Sequence, residues 1–100
     1  MTQLQIPWRK KPLQHPHRIM LASVYRKKVV GVVIGMTDSE VTYLTDLFVM
    51  EKYRGKGRGR ELMDRFMEAA KGTTVVLLTQ QGPFYKKFGF SKRECWAKKA

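Results

Sequence analysis

Six consecutive residues carry the densest chemistry in this sequence: Arg54, Gly55, Lys56, Gly57, Arg58 and Gly59. Glycine has no Cβ, so such a loop can turn sharply and bring its backbone against a ligand. If a helix starts directly behind it, the free N–H groups of the first turn and the helix dipole converge on the same spot, which is then an anion site. Arg54, Lys56, Arg58 and Arg60 add full positive charges. The spacing is not that of a nucleotide P-loop. Nor is it the dinucleotide fingerprint, because the third glycine comes one position early. It fits a different pattern, with Gln or Arg first, Gly fourth, and Gly or Ala sixth. Taken alone, the loop also fits a basic glycine-rich segment laid along a nucleic-acid backbone.

The flanking periodicities place this loop between a strand and a helix. Residues 19–25, 29–36 and 41–50 are apolar, β-branched runs separated by Arg26-Lys27-Lys28 and by Thr37-Asp38-Ser39-Glu40. Tight turns between such runs predict an antiparallel meander. After Gly59 the period changes: Leu62, Met63, Phe66, Met67 and Ala70 form one stripe of an amphipathic helix, with Gly72 as its stop. Residues 73–79 are nearly all apolar and read as a fourth strand, central in the sheet and covered on both faces. Pro83 opens a short second helix carrying Phe84 and Phe88, Gly89 closes it, and residues 90–96 read as a last strand. The expected fold is α/β in the order β-β-β-α-β-α-β. Residues 41–79 form a strand–helix–strand crossover, and so a locally parallel pair.

Composition sets the outer limits. One hundred residues make one domain, and 43% hydrophobic content is enough for a core. No apolar run is long enough to span a membrane, and residues 19–25 lack the small-residue cleavage pattern of a secretory signal. A single cysteine, Cys95, cannot form an internal disulfide, which fits a reducing compartment, so the cytoplasm is the expected location. Twenty Lys+Arg against eight Asp+Glu leave a net charge of +12, and no acid precedes Asp38. Such an excess favours polyanionic partners, which are nucleic acid, an anionic membrane surface or a phosphorylated cofactor, and equally fits a plain basic surface that keeps the chain in solution. Residues 1–17, with three prolines and Arg9-Lys10-Lys11, read as a basic arm preceding a domain at 18–100. His15 and His17 lack a second pair of ligands nearby, so no metal is expected. Trp8 and Trp96 read as anchors of the two terminal segments.

Two segments together resemble the GNAT acetyltransferase superfamily. The stretch from Leu47 to Leu62 looks like its strand, coenzyme A loop and helix start. Phe84-Tyr85-Lys86-Lys87-Phe88-Gly89-Phe90 looks like its second signature, in the family's order and spacing. The resemblance covers residues 19–90. It implies a reduced GNAT fold: a mixed, mostly antiparallel sheet whose central strands splay after a bulge in the strand at residues 44–50, leaving a cleft for coenzyme A. Backbone at Leu47, Phe48 and Val49 would face the pantetheine and thioester. Arg54, Gly55, Lys56, Gly57, Arg58 and Gly59 would hold the pyrophosphate. The implied reaction is acetyl transfer from acetyl-CoA by direct attack of a primary amine, with a backbone N–H stabilising the oxyanion. Tyr85 matches the tyrosine that protonates the departing thiolate; a phenol suits this because its pKa of about 10 lies close to that of a thiol. Asp46 matches one of two consecutive acids in polyamine-acetylating relatives, and is the candidate base or acceptor anchor.

The chain also departs from the family pattern. Only the short arm stands where a strand and two helices usually wall the acceptor site, and the C-terminal strands are clipped. A homodimer that completes the site is the corresponding expectation. The acceptor is a small-molecule or peptide amine; a polycation would meet repulsion from a +12 chain unless Asp38, Glu40, Asp46 or Glu51 made a local acidic pocket. The rival reading is a non-enzymatic module binding coenzyme A or nucleic acid on the same scaffold.

Overall fold

The computed structural model describes residues 16–93 and 98–99. The elements run β1 (His17–Tyr25), β2 (Lys28–Thr37), β3 (Val41–Val49), a 3₁₀ turn (Glu51–Tyr53), α1 (Arg58–Ala69), β4 (Thr74–Val76) and α2 (Gly82–Lys86). The arm before Pro16, with Trp8 and His15, lies outside the described residues, as does Trp96.

The meander forms as its alternation requires. Ile19, Leu21 and Ser23 of β1 sit inward opposite Gly35, Val33 and Gly31 of β2, and their neighbours point out. The β1–β2 turn places Arg26 and Lys27 at φ 49° and 65°, the left-handed pair that a two-residue hairpin needs. In the β2–β3 turn the Asp38 carboxylate accepts the N–H groups of Glu40 and Val41 at 3.1 and 3.0 Å. Asp38 is thus a buried turn residue, engaged by backbone, and does not supply an acidic pocket.

Helix α1 buries Leu62, Met63 and Phe66 against Val33 of β2 and Leu44 of β3, and Ile19, Leu21, Leu47 and Val49 pack around them. The apolar stripe read from the sequence is therefore the face that meets the sheet. Gly72, at φ 88°, turns the chain after the helix. Thr73 then ties the returning chain to the core: its hydroxyl lies 2.7 Å from that of the fully buried Thr42 and 2.7 Å from the Ala70 carbonyl oxygen.

The sheet order is β1-β2-β3-β4, with the first two pairs antiparallel and β3–β4 parallel. The crossover and its parallel pair are as expected, and the sheet is mixed. Two expectations need correction. The fourth strand is three residues long, not seven, and lies at the sheet edge among the described residues. It hydrogen-bonds β3 only from Val41 to Tyr43, so the apolar run leaves the sheet early and Leu78 is 80% exposed. The last strand is not formed over residues 90–93; the rest of that segment lies outside the described residues. No helix among the described residues is long and apolar enough to cross a membrane.

Candidate functional site

The site is built around a break in the register of β3. Gly35 pairs with Leu44 and Ile34 with Asp46, so Thr45 is an extra residue, a β-bulge. Its hydroxyl donates to the Ile34 carbonyl at 3.0 Å. The bulge has a packing reason. Thr42 and Leu44 face α1; in a regular strand Asp46 and Phe48 would follow them inward, and Leu47 and Val49 would face water. One extra residue reverses the phase, so Leu47 and Val49 pack on the core, Phe48 is 52% exposed, and Asp46 is exposed on the opposite sheet face. The interval of three from Leu44 to Leu47 was the sequence signal for this break.

Beyond the bulge, β3 outruns its parallel partner. Pairing with β4 ends at Tyr43 and Val76, whereas β3 continues beside β2 to Val49. The chain then rises through the 3₁₀ turn into the loop. Gly55 and Gly57 take φ of 77° and 83°, values that other residues adopt only with strain. Gly57 is the N-cap of α1, and its carbonyl accepts the Glu61 N–H at 3.0 Å. Among the described residues no side chain caps this end of the helix. The first-turn N–H groups, which no helix can satisfy internally, therefore remain at the loop surface. Among the described residues a Cβ on Gly55 or Gly57 would meet nothing within 4 Å, so the loop backbone is open to an incoming group.

The cationic side chains do not all point the same way. Arg54 folds back, donating from Nε to the Val49 carbonyl at 2.7 Å with its guanidinium 5.5 Å from the Phe48 ring centre. Lys56 is exposed. Arg60 lies 6.0 Å from the Phe88 ring centre. Arg58 donates from a terminal guanidinium nitrogen to the Ser23 hydroxyl at 2.9 Å and stacks on Tyr25 and Tyr53, at 5.3 and 5.7 Å. Nothing in the sequence marked Ser23 or Tyr25 as neighbours of the loop, because the Arg58–Ser23 contact joins positions 35 residues apart. Tyr53 adjoins the loop in sequence, but its ring's place against Arg58 was not legible there.

Helix α2 closes the other side. An added Cβ on Gly59 would lie 3.9 Å from Phe84 and 4.0 Å from Val49, so the helix start, the end of β3 and α2 meet there. Tyr85 is half-buried, its ring edge-on to Phe84 at 5.0 Å and to Phe90 at 5.9 Å. Burial removes water from the phenol and raises its pKa above 10.0, so it stays protonated at neutral pH. The structure thus brings Leu47, Val49, the glycine loop and Tyr85 to one side of the sheet, and puts Asp46 on the other. Among the described residues no three His, Cys, Asp or Glu side chains are grouped to hold a metal ion.

Solved structures share this fold. A GNAT-family protein from Xanthomonas campestris pv. campestris is 26% identical with a TM-score of 0.72, over 77% of this chain and 58% of that one. A Clostridium acetobutylicum protein solved with acetyl-CoA is 18% identical with a TM-score of 0.70, over 83% and 64%. A Mycobacterium tuberculosis protein in complex with CoA is 23% identical with a TM-score of 0.69, over 75% and 49%. The last two likenesses show the fold alone. The chain spans less than two thirds of the length of each of these three structures. No curated protein matches the sequence. The acetyltransferase (GNAT) domain family matches residues 16–92, which is most of the sequence, and the chain belongs to that family.

Proposed function

We propose that the chain is an acetyl-CoA-dependent N-acetyltransferase that passes an acetyl group to a primary amine within a ternary complex. The observation that carries the reading is the open glycine loop leading into the uncapped start of α1 beside the freed end of β3, with a protonated tyrosine packed against the same corner. The residues present fit coenzyme A: an open glycine backbone with unsatisfied N–H groups suits a pyrophosphate, and a strand end without a second neighbour suits the amide-rich pantetheine arm.

In this reading the N–H groups from Gly57 to Arg60 hold the pyrophosphate, with Lys56 adding charge. The strands splay beyond Tyr43 into a cleft in which the backbone at Leu47, Phe48 and Val49 orients the pantetheine. Acetyl-CoA, when bound, supplies the activated acyl group. Tyr85 keeps a proton on its hydroxyl for the thiolate that leaves. Asp46 anchors the acceptor ammonium or takes its proton. It shares its sheet face with Tyr43 and Phe48, so amines with an apolar body are the first to screen.

Calorimetric titration with acetyl-CoA and with a short DNA duplex at moderate salt tests this reading against the nucleic-acid alternative. Acetyl-CoA should bind and raise the melting temperature by mass action. Gly57→Val should abolish that rise, since a β-branched residue resists φ 83° and reorients the N–H groups. Binding of DNA but not acetyl-CoA, or an unchanged rise in the variant, would overturn the assignment.

A homodimer belongs to the same proposal. Met20, Val24 and Val29, all more than half exposed, leave an apolar patch on the β1–β2 half of the sheet, and no described strand covers the outer edge of β1. A second copy covering that half would leave β3 to the amine. Sedimentation should give twice the 11.7 kDa chain mass at micromolar concentration, and more completely at higher salt, which screens the repulsion between basic chains. A monomer at all salt concentrations would contradict it.

A further inference from the structure

We infer that Arg58 is a positioning residue of the cofactor loop, its guanidinium clamped by Tyr25, Tyr53 and Ser23 so that only its backbone N–H is offered to the bound anion. The inference rests on the reading of the loop as the coenzyme A site.

The rings of Tyr25 and Tyr53 lie 5.6 Å apart at 53° and together receive the Arg58 guanidinium. One terminal nitrogen is committed to Ser23, and Nε is buried with no acceptor among the described residues. A guanidinium that met a phosphate at the loop surface would keep its N–H fork free for it. This one is turned the other way, and a buried N–H without an acceptor is tolerated only because the stack holds the group there. The clamp also has a built frame. Ser23 faces inward on β1 opposite Gly31, and the register shift that follows it carries Tyr25 to the hairpin end. Tyr53 closes the 3₁₀ turn just before the loop, with its N–H on the Met50 carbonyl at 2.8 Å. Arg58 is the first residue of α1. Fixing its side chain to β1 on one side and to the 3₁₀ turn on the other sets where the helix begins, and so where the N–H groups of the loop point. The basic tip of the hairpin takes part: Arg26 stacks on Tyr25 at 5.2 Å.

A loop released from this clamp would bind in proportion to the time it spends in the competent shape; a competent fraction of about a tenth raises Kd about tenfold. The test compares Arg58→Ala, Arg58→Met and Tyr25→Ala by amide hydrogen exchange at residues 61–63, the first hydrogen-bonded amides of α1 behind the loop, and by acetyl-CoA titration at low and high salt. Tyr25→Leu replaces Tyr25→Ala if the latter does not fold. Arg58→Ala and the Tyr25 variant should exchange faster and bind about tenfold more weakly. Arg58→Met keeps an unbranched stem against the two rings, and should retain that protection, affinity within about threefold and an unchanged salt dependence. Arg58→Met binding as weakly as Arg58→Ala, with a shallower salt dependence, would make Arg58 a direct phosphate ligand and overturn the inference. If the wild-type chain bound no acetyl-CoA, the reading of the loop would fall first. The exchange measurements would still decide the clamp, because wild-type protection in Arg58→Ala would refute it.

Discussion

Gly35→Ala should destabilise the fold by about 3 kcal/mol, the upper end for overpacking a filled core. A Cβ at Gly35 would stand 2.5 and 2.7 Å from two ring carbons of Phe66 and 2.7 Å from the Tyr43 carbonyl oxygen. Phe66 is fully buried and cannot swing aside, and the second obstacle is the backbone of the neighbouring strand. The new methyl must therefore push β3 away from β2 where the Thr45 bulge begins. For a domain of this length, about 3 kcal/mol lowers the melting temperature by roughly 12 to 24 °C. Gly31→Ala is the control, since its closest contacts are looser at 3.1 to 3.3 Å and two of the three are side-chain ends. Phe66→Leu in the Gly35→Ala background should recover part of the loss, because the two changes share one contact. Equal denaturation midpoints for the two alanine variants would show that the ring is not the obstacle.

Much of the corner that holds the candidate site was legible from residue types, because its parts are local. A glycine loop before an apolar stripe of period 3.6 specifies a strand–loop–helix junction, and Gly55, Gly57, Gly72 and Gly89 all take the positive φ for which glycine is suited. Residues 73–79 misled because apolar content reports burial without saying what does the burying. Val75 and Leu77 pack on the core around α1, whereas Leu78 stands largely in solvent. Arg58 was read as one cation among several for the opposite reason. Charge is visible in a sequence, but the direction of a guanidinium depends on rings supplied by β1 and the 3₁₀ turn. The position of Asp46 depends on a single inserted residue, Thr45, which decides the sheet face of every side chain after it.

Tyr85→Phe should lower turnover by about 10²- to 10⁴-fold, the range for loss of a general acid, and leave the affinity for acetyl-CoA nearly unchanged. A proton donor to the thiolate matters as the C–S bond breaks, so its removal acts on the transition state and not on ground-state binding. The variant is structurally mild. The ring keeps its contacts with Phe84 and Phe90, and among the described residues its hydroxyl has no hydrogen-bond partner to lose. The pH profile gives a second signature. A donor works only while protonated, and burial raises the Tyr85 pKa above 10.0, so turnover should hold through neutral pH and fall only on the far alkaline side. In Tyr85→Phe that alkaline limb should disappear. Asp46→Asn should act elsewhere: its carboxylate lies on the opposite sheet face, so the KM for the amine should rise, with the alkaline limb kept. The assay first needs a competent acceptor, found by following thiol release across amines with apolar bodies, amino acids, aminoglycosides, polyamines and peptides. Full activity in Tyr85→Phe, or an unchanged alkaline limb, would remove the phenol from the chemistry. Acetyl-CoA binding without turnover on any amine would favour the non-enzymatic reading of the scaffold.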